Sequence, residues 1–245
     1  MSELPTESEV VRHADATGLV GDVADRLIGR LADVQRSGRV PHLGLTGGTI
    51  ANDLYRAVAA SPRRGDVEWT SVEFWWGDER FVAADSPDRN AVQAREAMLT
   101  DLGARESRIH QMPSSDAGDL DAAADAYGDE VRAFGAGSFD LLLLGLGPDG
   151  HIASLFPGYP QLSVDDRITV AVTDSPKPPP ERISLTFGAL NRSRAVWFIV
   201  SGAGKADAVA RSLSAVTDVQ ESPATGVRGE VETVWHLDAA AASAL

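Results

Sequence analysis

Leu141-Leu-Leu-Leu-Gly145-Leu-Gly147-Pro-Asp149-Gly150-His151-Ile-Ala-Ser154-Leu-Phe-Pro157-Gly158 is the stretch that decides the fold. Four leucines without a polar break read as a strand buried on both faces, the mark of a central parallel strand. Glycines at 145, 147 and 150 turn the backbone sharply where that strand ends. Open α/β sheets bind ligands at the carboxyl ends of their strands. Here that position carries Asp149 and His151, an acid and a base two residues apart.

Outward from this strand, apolar residues at helical spacing (Val20, Val23, Leu27, Leu31, Val34) predict a helix over about Asp15 to Arg36. Strands are expected at Val40–Leu45, Val72–Trp76, Ile168–Val172, Ile183–Phe187, Val196–Val200 and Val231–Trp235. Helices are expected after Thr49, over about Asn90–Leu99 and Ala122–Phe134, after Lys205 to near Leu213, and in the alanine-rich C-terminal stretch. This alternation predicts an α/β fold, a Rossmann-like three-layer sandwich with a mostly parallel central sheet flanked by helices. No repeat, long linker or composition break divides the chain, so one domain over residues 1–245 is expected.

Absence of cysteine excludes disulfides, thiolate nucleophiles and cysteine-ligated metals. A net charge of −14 disfavours nucleic acid and anionic membranes as partners. No apolar segment approaches the length of a membrane span. Met1 to Ala16 carries Glu3, Glu7, Glu9 and Asp15 with neither a basic nor an apolar leader region, so a cytoplasmic location is expected. An anionic small-molecule substrate requires the scarce cations to gather in one place. Only two of the 22 basic residues are lysines, Lys177 and Lys205.

Gly145-x-Gly147-x-x-Gly150 formally matches a dinucleotide fingerprint. Pro157-Gly158 arrives too soon for the crossover helix that fingerprint needs, and Asp149 would face the pyrophosphate, so NAD is rejected. Three further loops stand at strand ends. Thr46-Gly47-Gly48-Thr49 offers small residues and a helix N-terminus to an anion, without a P-loop lysine. Gly77-Asp78-Glu79-Arg80 emerges directly from the core run Phe74-Trp75-Trp76. Gly202-Ala-Gly-Lys205 places a lysine at a helix start, and Arg182 after Pro178-Pro-Pro180 is a further cation.

Taken in order, these segments resemble the 6-phosphogluconolactonase family, within the wider group that includes glucosamine-6-phosphate deaminases. The likeness runs from Thr46-Gly-Gly-Thr49 through Gly77-Asp-Glu-Arg80 and Asn90 to Gly145–Gly158, Pro178-Pro-Pro-Glu-Arg-Ile-Ser-Leu185 and Gly202-Ala-Gly-Lys205. The deaminase branch carries Phe-Asn-Glu-Pro-Gly after the histidine motif, whereas this chain has Ser154-Leu155-Phe156-Pro157-Gly158 and lacks that carboxylate. Two departures from the lactonase pattern are Thr49-Ile50-Ala51 in place of Ser-Thr-Pro, and Arg89 in place of a serine. Arg89 is either an added site cation or a solvent-facing residue.

The resemblance implies hydrolysis of 6-phospho-D-glucono-1,5-lactone to 6-phosphogluconate, in the oxidative pentose phosphate pathway, without metal or organic cofactor. His151 would be the general base, oriented by Asp149 or Asp78. Gly47, Gly48, Thr49, Arg80, Asn90 and Lys205 would hold the phosphosugar, with Arg182 in reserve. Ser154 has the residue type of a nucleophile but lacks the strained elbow of serine hydrolases. The alternatives are a glucosamine-6-phosphate deaminase-like enzyme and a non-catalytic sugar-phosphate-binding protein. Either a monomer or a dimer is compatible with the sequence.

Overall fold

The computed structural model describes residues 8–134 and 138–245, so Glu3 and Glu7 of the acidic N-terminal stretch lie outside the described residues. Strand β1 (Glu9–His13) leads into helix α1 (Ala16–Arg36), whose N-cap Asp15 accepts the Gly18 amide at 2.8 Å. Leu19, Val23, Leu27 and Leu31 form its buried stripe, at the spacing of one helix face. Strand β2 (His42–Leu45), helix α2 (Thr49–Ala60), β3 (Glu73–Trp76), β4 (Asp78–Arg80) and α3 (Asn90–Ala94) follow. The last runs on into a π turn over Arg95–Leu99. Then come α4 (Leu120–Ala133), β5 (Leu141–Leu144), β6 (Thr169–Val172), β7 (Arg182–Leu185), α5 (Phe187–Leu190), β8 (Ala195–Val200), α6 (Ala206–Leu213) and β9 (Glu232–Asp238).

Six strands form one sheet in the order β1-β9-β8-β5-β2-β3, and every pairing in it is parallel. Helices flank this sheet, giving a three-layer α/β architecture. Leu141 to Leu144 lie between β2 and β8 and are fully buried. From β2 the chain steps to β3 on one side, then crosses back to β5 on the other. The carboxyl ends of β2 and β5 therefore flank a topological switch point, where open sheets leave a crevice.

Three findings differ from the sequence reading. Asp78–Arg80 is a strand rather than a loop: at Gly77 the chain leaves the large sheet and enters a second, antiparallel one of order β4-β7-β6. Gly77 joins both sheets, donating to Leu45 O at 3.0 Å while its carbonyl accepts from Leu185 N at 2.9 Å. The strands flanking the proline segment thus belong to this small sheet and not to the parallel one. The alanine-rich end forms turns, not a helix, since Asp238 caps it locally by accepting the Ala241 amide at 2.7 Å. Edge strand β1, unanticipated because its alternation is short and polar, pairs with β9.

At the amino ends of the strands a buried ionic cluster closes the core. The His110 ring stacks on Trp75 with centroids 3.8 Å apart and contacts Glu130 Oε1 at 2.6 Å and Glu73 Oε2 at 2.9 Å. Burial pulls its pKa down, but the two carboxylates outweigh burial and leave it raised above the ordinary histidine value. A raised folded-state pKa means that the stabilisation is complete below the unfolded histidine value of about 6.5 and is lost as pH rises through the folded value. Thermal unfolding followed against pH should show stability declining above neutrality. His110→Asn should flatten that slope; an unchanged slope in the variant would assign it elsewhere.

Candidate active site

The crevice at the switch point is a cleft of about 260 Å³. Its walls come from three loops and a strand: Thr46-Gly47-Gly48 after β2, Gly145-Leu146-Gly147 with His151 and Ala153 after β5, Lys205 after β8, and Asp78 and Arg80 of β4. Asn90, Lys177, Pro178 and Arg182 complete the lining. Six of the residues singled out from sequence as chemical groups therefore meet here: His151, Asp78, Arg80, Asn90, Arg182 and Lys205.

His151 is held by its own turn. Its Nδ1 lies 2.5 Å from Asp149 Oδ1, and its carbonyl accepts the Gly147 amide at 2.8 Å. A Cβ on Gly147 would overlap both His151 Nδ1 and Asp149 Oδ1, so glycine is needed there for room. Gly150 has φ +90°, a region that side chains rarely adopt, and packs directly on Ser222. Burial raises the Asp149 pKa, but the imidazole's hydrogen bond and charge, helped by Lys177, hold this carboxyl well below the usual carboxylate range. The carboxylate is thus ionised opposite the ring. Of the two acids considered for orienting the ring, Asp149 makes the contact; Asp78 Oδ2 instead accepts from Ser154 Oγ at 2.7 Å.

Side chains alternate along β4, which sends Asp78 and Arg80 toward the cleft and Glu79 away from it. Glu79 is 1% exposed and caps α3, accepting from Asn90 N at 2.7 Å, Ala91 N at 2.9 Å and Arg80 N at 2.8 Å. Arg89 neither joins the site nor faces solvent. It is 2% exposed, pairs with Glu79 (Nε to Oε2, 3.7 Å) and donates to Met112 O. Asn90 donates to Asp78 O at 2.9 Å and accepts from Arg80 Nη1, fixing that guanidinium.

Gly47 lies against Asn90 with no space for a Cβ, and Gly48, at φ +107°, starts α2 without a side-chain cap. The first amides of α2 are thereby left available to an anion. Thr49 lies one step aside, lining a neighbouring recess that shares Gly47, Gly48 and Lys205 with the cleft.

Lys177 is the residue that the sequence reading did not place. It lies in the proline segment, which Arg182 braces by donating to Lys177 O at 3.0 Å and Pro179 O at 3.2 Å. Its rarity was the available signal: both lysines of the chain line this one cleft. Desolvation lowers the pKa of each, and the Lys205 ammonium is further depressed by Lys177 beside it. Four cations face the two carboxylates Asp78 and Asp149, an excess of positive charge that suits a phosphate monoester of about −1.5 to −2.

Residues 14–235 match the family described as glucosamine-6-phosphate isomerases/6-phosphogluconolactonase. The chain is 42% identical to the 6-phosphogluconolactonase of Streptomyces coelicolor, covering 100% of this chain and 96% of that protein. It is 43% identical to that of Mycobacterium tuberculosis, over 94% of this chain and 96% of that one. The crystal structure of 6-phosphogluconolactonase from Thermotoga maritima superimposes with a TM-score of 0.82 at 26% identity, covering 95% of this chain and 100% of that chain. The chain belongs to the glucosamine-6-phosphate isomerase/6-phosphogluconolactonase family.

Proposed function

We propose that this chain, as one catalytic domain over residues 1–245, hydrolyses 6-phospho-D-glucono-1,5-lactone to 6-phospho-D-gluconate. The observation that carries the proposal is an Asp149-oriented imidazole in the same cleft as Arg80, Lys177, Arg182 and Lys205. With Nδ1–H directed at Asp149, His151 Nε2 holds the lone pair and serves as the base. It takes a proton from water as the water oxygen bonds to C1. The tetrahedral intermediate then collapses with cleavage of the C1–O5 bond, and the imidazolium returns its proton to O5. The cations hold the phosphate together with the Gly47–Thr49 backbone at the start of α2, and Asn90 fixes the Arg80 guanidinium beside them.

Freshly made lactone, assayed by coupled oxidation of the released 6-phosphogluconate and corrected for spontaneous hydrolysis, tests this reading. Ammonia release from glucosamine 6-phosphate would replace it with a deaminase, and phosphosugar binding without turnover would replace it with a sensor.

His151→Ala should lower kcat by about 10²–10⁴-fold with a modest change in KM, while Lys205→Ala and Lys177→Ala should mainly raise KM. A near-wild-type kcat in the His151 variant removes that residue from the chemistry. Gly147→Ala should lose kcat through displacement of the ring while the protein stays folded, since the atoms nearest its added Cβ are those of the Asp149–His151 pair. Circular dichroism alongside the assay distinguishes this from unfolding.

Because both lysine pKa values are depressed, their charge is lost at lower pH than that of a free lysine, which titrates near about 10.4. Affinity for 6-phosphogluconate, measured calorimetrically, should therefore begin to fall before that range is reached. Lys177→Met should move the fall to higher pH by relieving Lys205. A decline at the same pH in both proteins would show that the two ammonium groups do not interact.

A further inference from the structure

Two of the five histidines meet outside the cleft, where β1 lies beside β9. Val11 stands opposite His236 and His13 opposite Asp238 in this pairing, so His13 and His236 are diagonal neighbours on one sheet face. His13 Nε2 is 3.4 Å from His236 Nδ1. Asp22 reaches the same point from α1, and one ligand atom from each of the three residues lies within 4.8 Å of the others.

The imidazole separation is long for a hydrogen bond. It matches the roughly 3.3–3.4 Å edge of a tetrahedron whose ligands stand ~2.0–2.1 Å from the centre, the Zn–N distance. The carboxylate of the cluster is poorly satisfied. Asp22 Oδ2 is buried without a hydrogen bond; Arg26 Nε lies 2.7 Å away, but the contact lacks hydrogen-bond geometry. His236 is fully buried, and it is its Nδ1 that faces His13.

We propose that His13, Asp22 and His236 form a zinc site, completed by water, which fastens strand β1 and helix α1 to β9. Two imidazoles and one carboxylate favour zinc over calcium or magnesium, which prefer all-oxygen sets. His13 and Asp22 are partly exposed and give an ion access. The net charge of −14 draws cations to the surface. Among the described residues strand β1 has a sheet neighbour on one side only, so a metal clip supplies an anchor that backbone pairing does not. Arg26 competes for the carboxylate but is nearly half exposed and free to swing away.

Chelator-treated full-length protein should be titrated with zinc sulfate by calorimetry and with cobalt chloride by visible absorption. One zinc per chain is expected, with the strong visible bands of four-coordinate cobalt and a zinc-dependent rise in Tm. His13→Gln should weaken zinc binding more than about tenfold and abolish those bands, as should Asp22→Asn. Arg26→Ala should tighten binding. His151→Gln should retain it, which separates this site from the cleft, and His13→Gln should retain lactone turnover, which reports that the variant is folded. Absence of stoichiometric binding, unchanged binding in His13→Gln and Asp22→Asn, or loss of binding in His151→Gln would each overturn the proposal.

Discussion

A missing Cβ at Gly147 is the constraint on which the cleft depends. The Asp149 carboxylate and the His151 ring fold back over the turn into space that any other residue would fill. The same turn is closed by the Gly147 amide on the His151 carbonyl and by Gly150 pressed against Ser222. Ser222 is itself fixed by a 2.8 Å hydroxyl contact with Ser212 on α6. Glycine here provides close approach and one left-handed turn, so a rigid acid–base pair results. Such pairing presents one tautomer at a fixed orientation, which is what a general base requires.

The second requirement is to assemble cations in an acidic protein. Burial is the main cost to each ammonium group, and repulsion from a neighbouring cation, Arg182 for Lys177 and Lys177 for Lys205, adds to it, as their depressed pKa values register. Rigid neighbours offset this. Glu79 ties the start of α3 to β4, Asn90 holds the Arg80 guanidinium, and Arg182 is anchored on carbonyls of the proline segment. The fields of the cations therefore converge on the cleft, and a phosphate bound there would relieve the repulsion. Arg80, Asn90 and Glu79 act as one unit because alternation along a three-residue strand separates the site-facing side chains from the capping one.

Most of the parallel sheet was legible from sequence because its strands are continuous apolar runs ending in glycine turns, as in Leu141–Leu144 and Ala195–Val200. The residues at those carboxyl ends, His151, Asp149 and Lys205, could be placed from that rule alone. The small antiparallel sheet was not legible. Asp78-Glu79-Arg80 has the composition of a solvated turn, and only its pairing with Arg182–Leu185, a hundred residues away in sequence, makes it a strand. Arg89 was misread for a similar reason: its partner Glu79 is supplied by tertiary packing that local sequence does not reveal. Lys177 was missed because a proline-rich segment signals stiffness without showing which surface it covers. The alanine-rich terminus has helix propensity, but capping by Asp238 turns the chain into successive tight turns instead.

The two carboxylates near the reacting groups have different tasks, and this bears on the choice between water and serine as nucleophile. Asp149 engages the imidazole, whereas Asp78 engages the Ser154 hydroxyl. Ser154 is 1% exposed, and its hydroxyl is directed at a carboxylate, not at His151. A serine nucleophile needs its oxygen exposed to the carbonyl and a base with imidazole-like proton affinity beside it. Ser154 has neither, so it serves to hold Asp78, and Asp78 in turn lies near Arg182 across the small sheet. The imidazole is left free to act on water. An activated ester such as a lactone needs no covalent intermediate, so attack by water is the route we propose for this cleft.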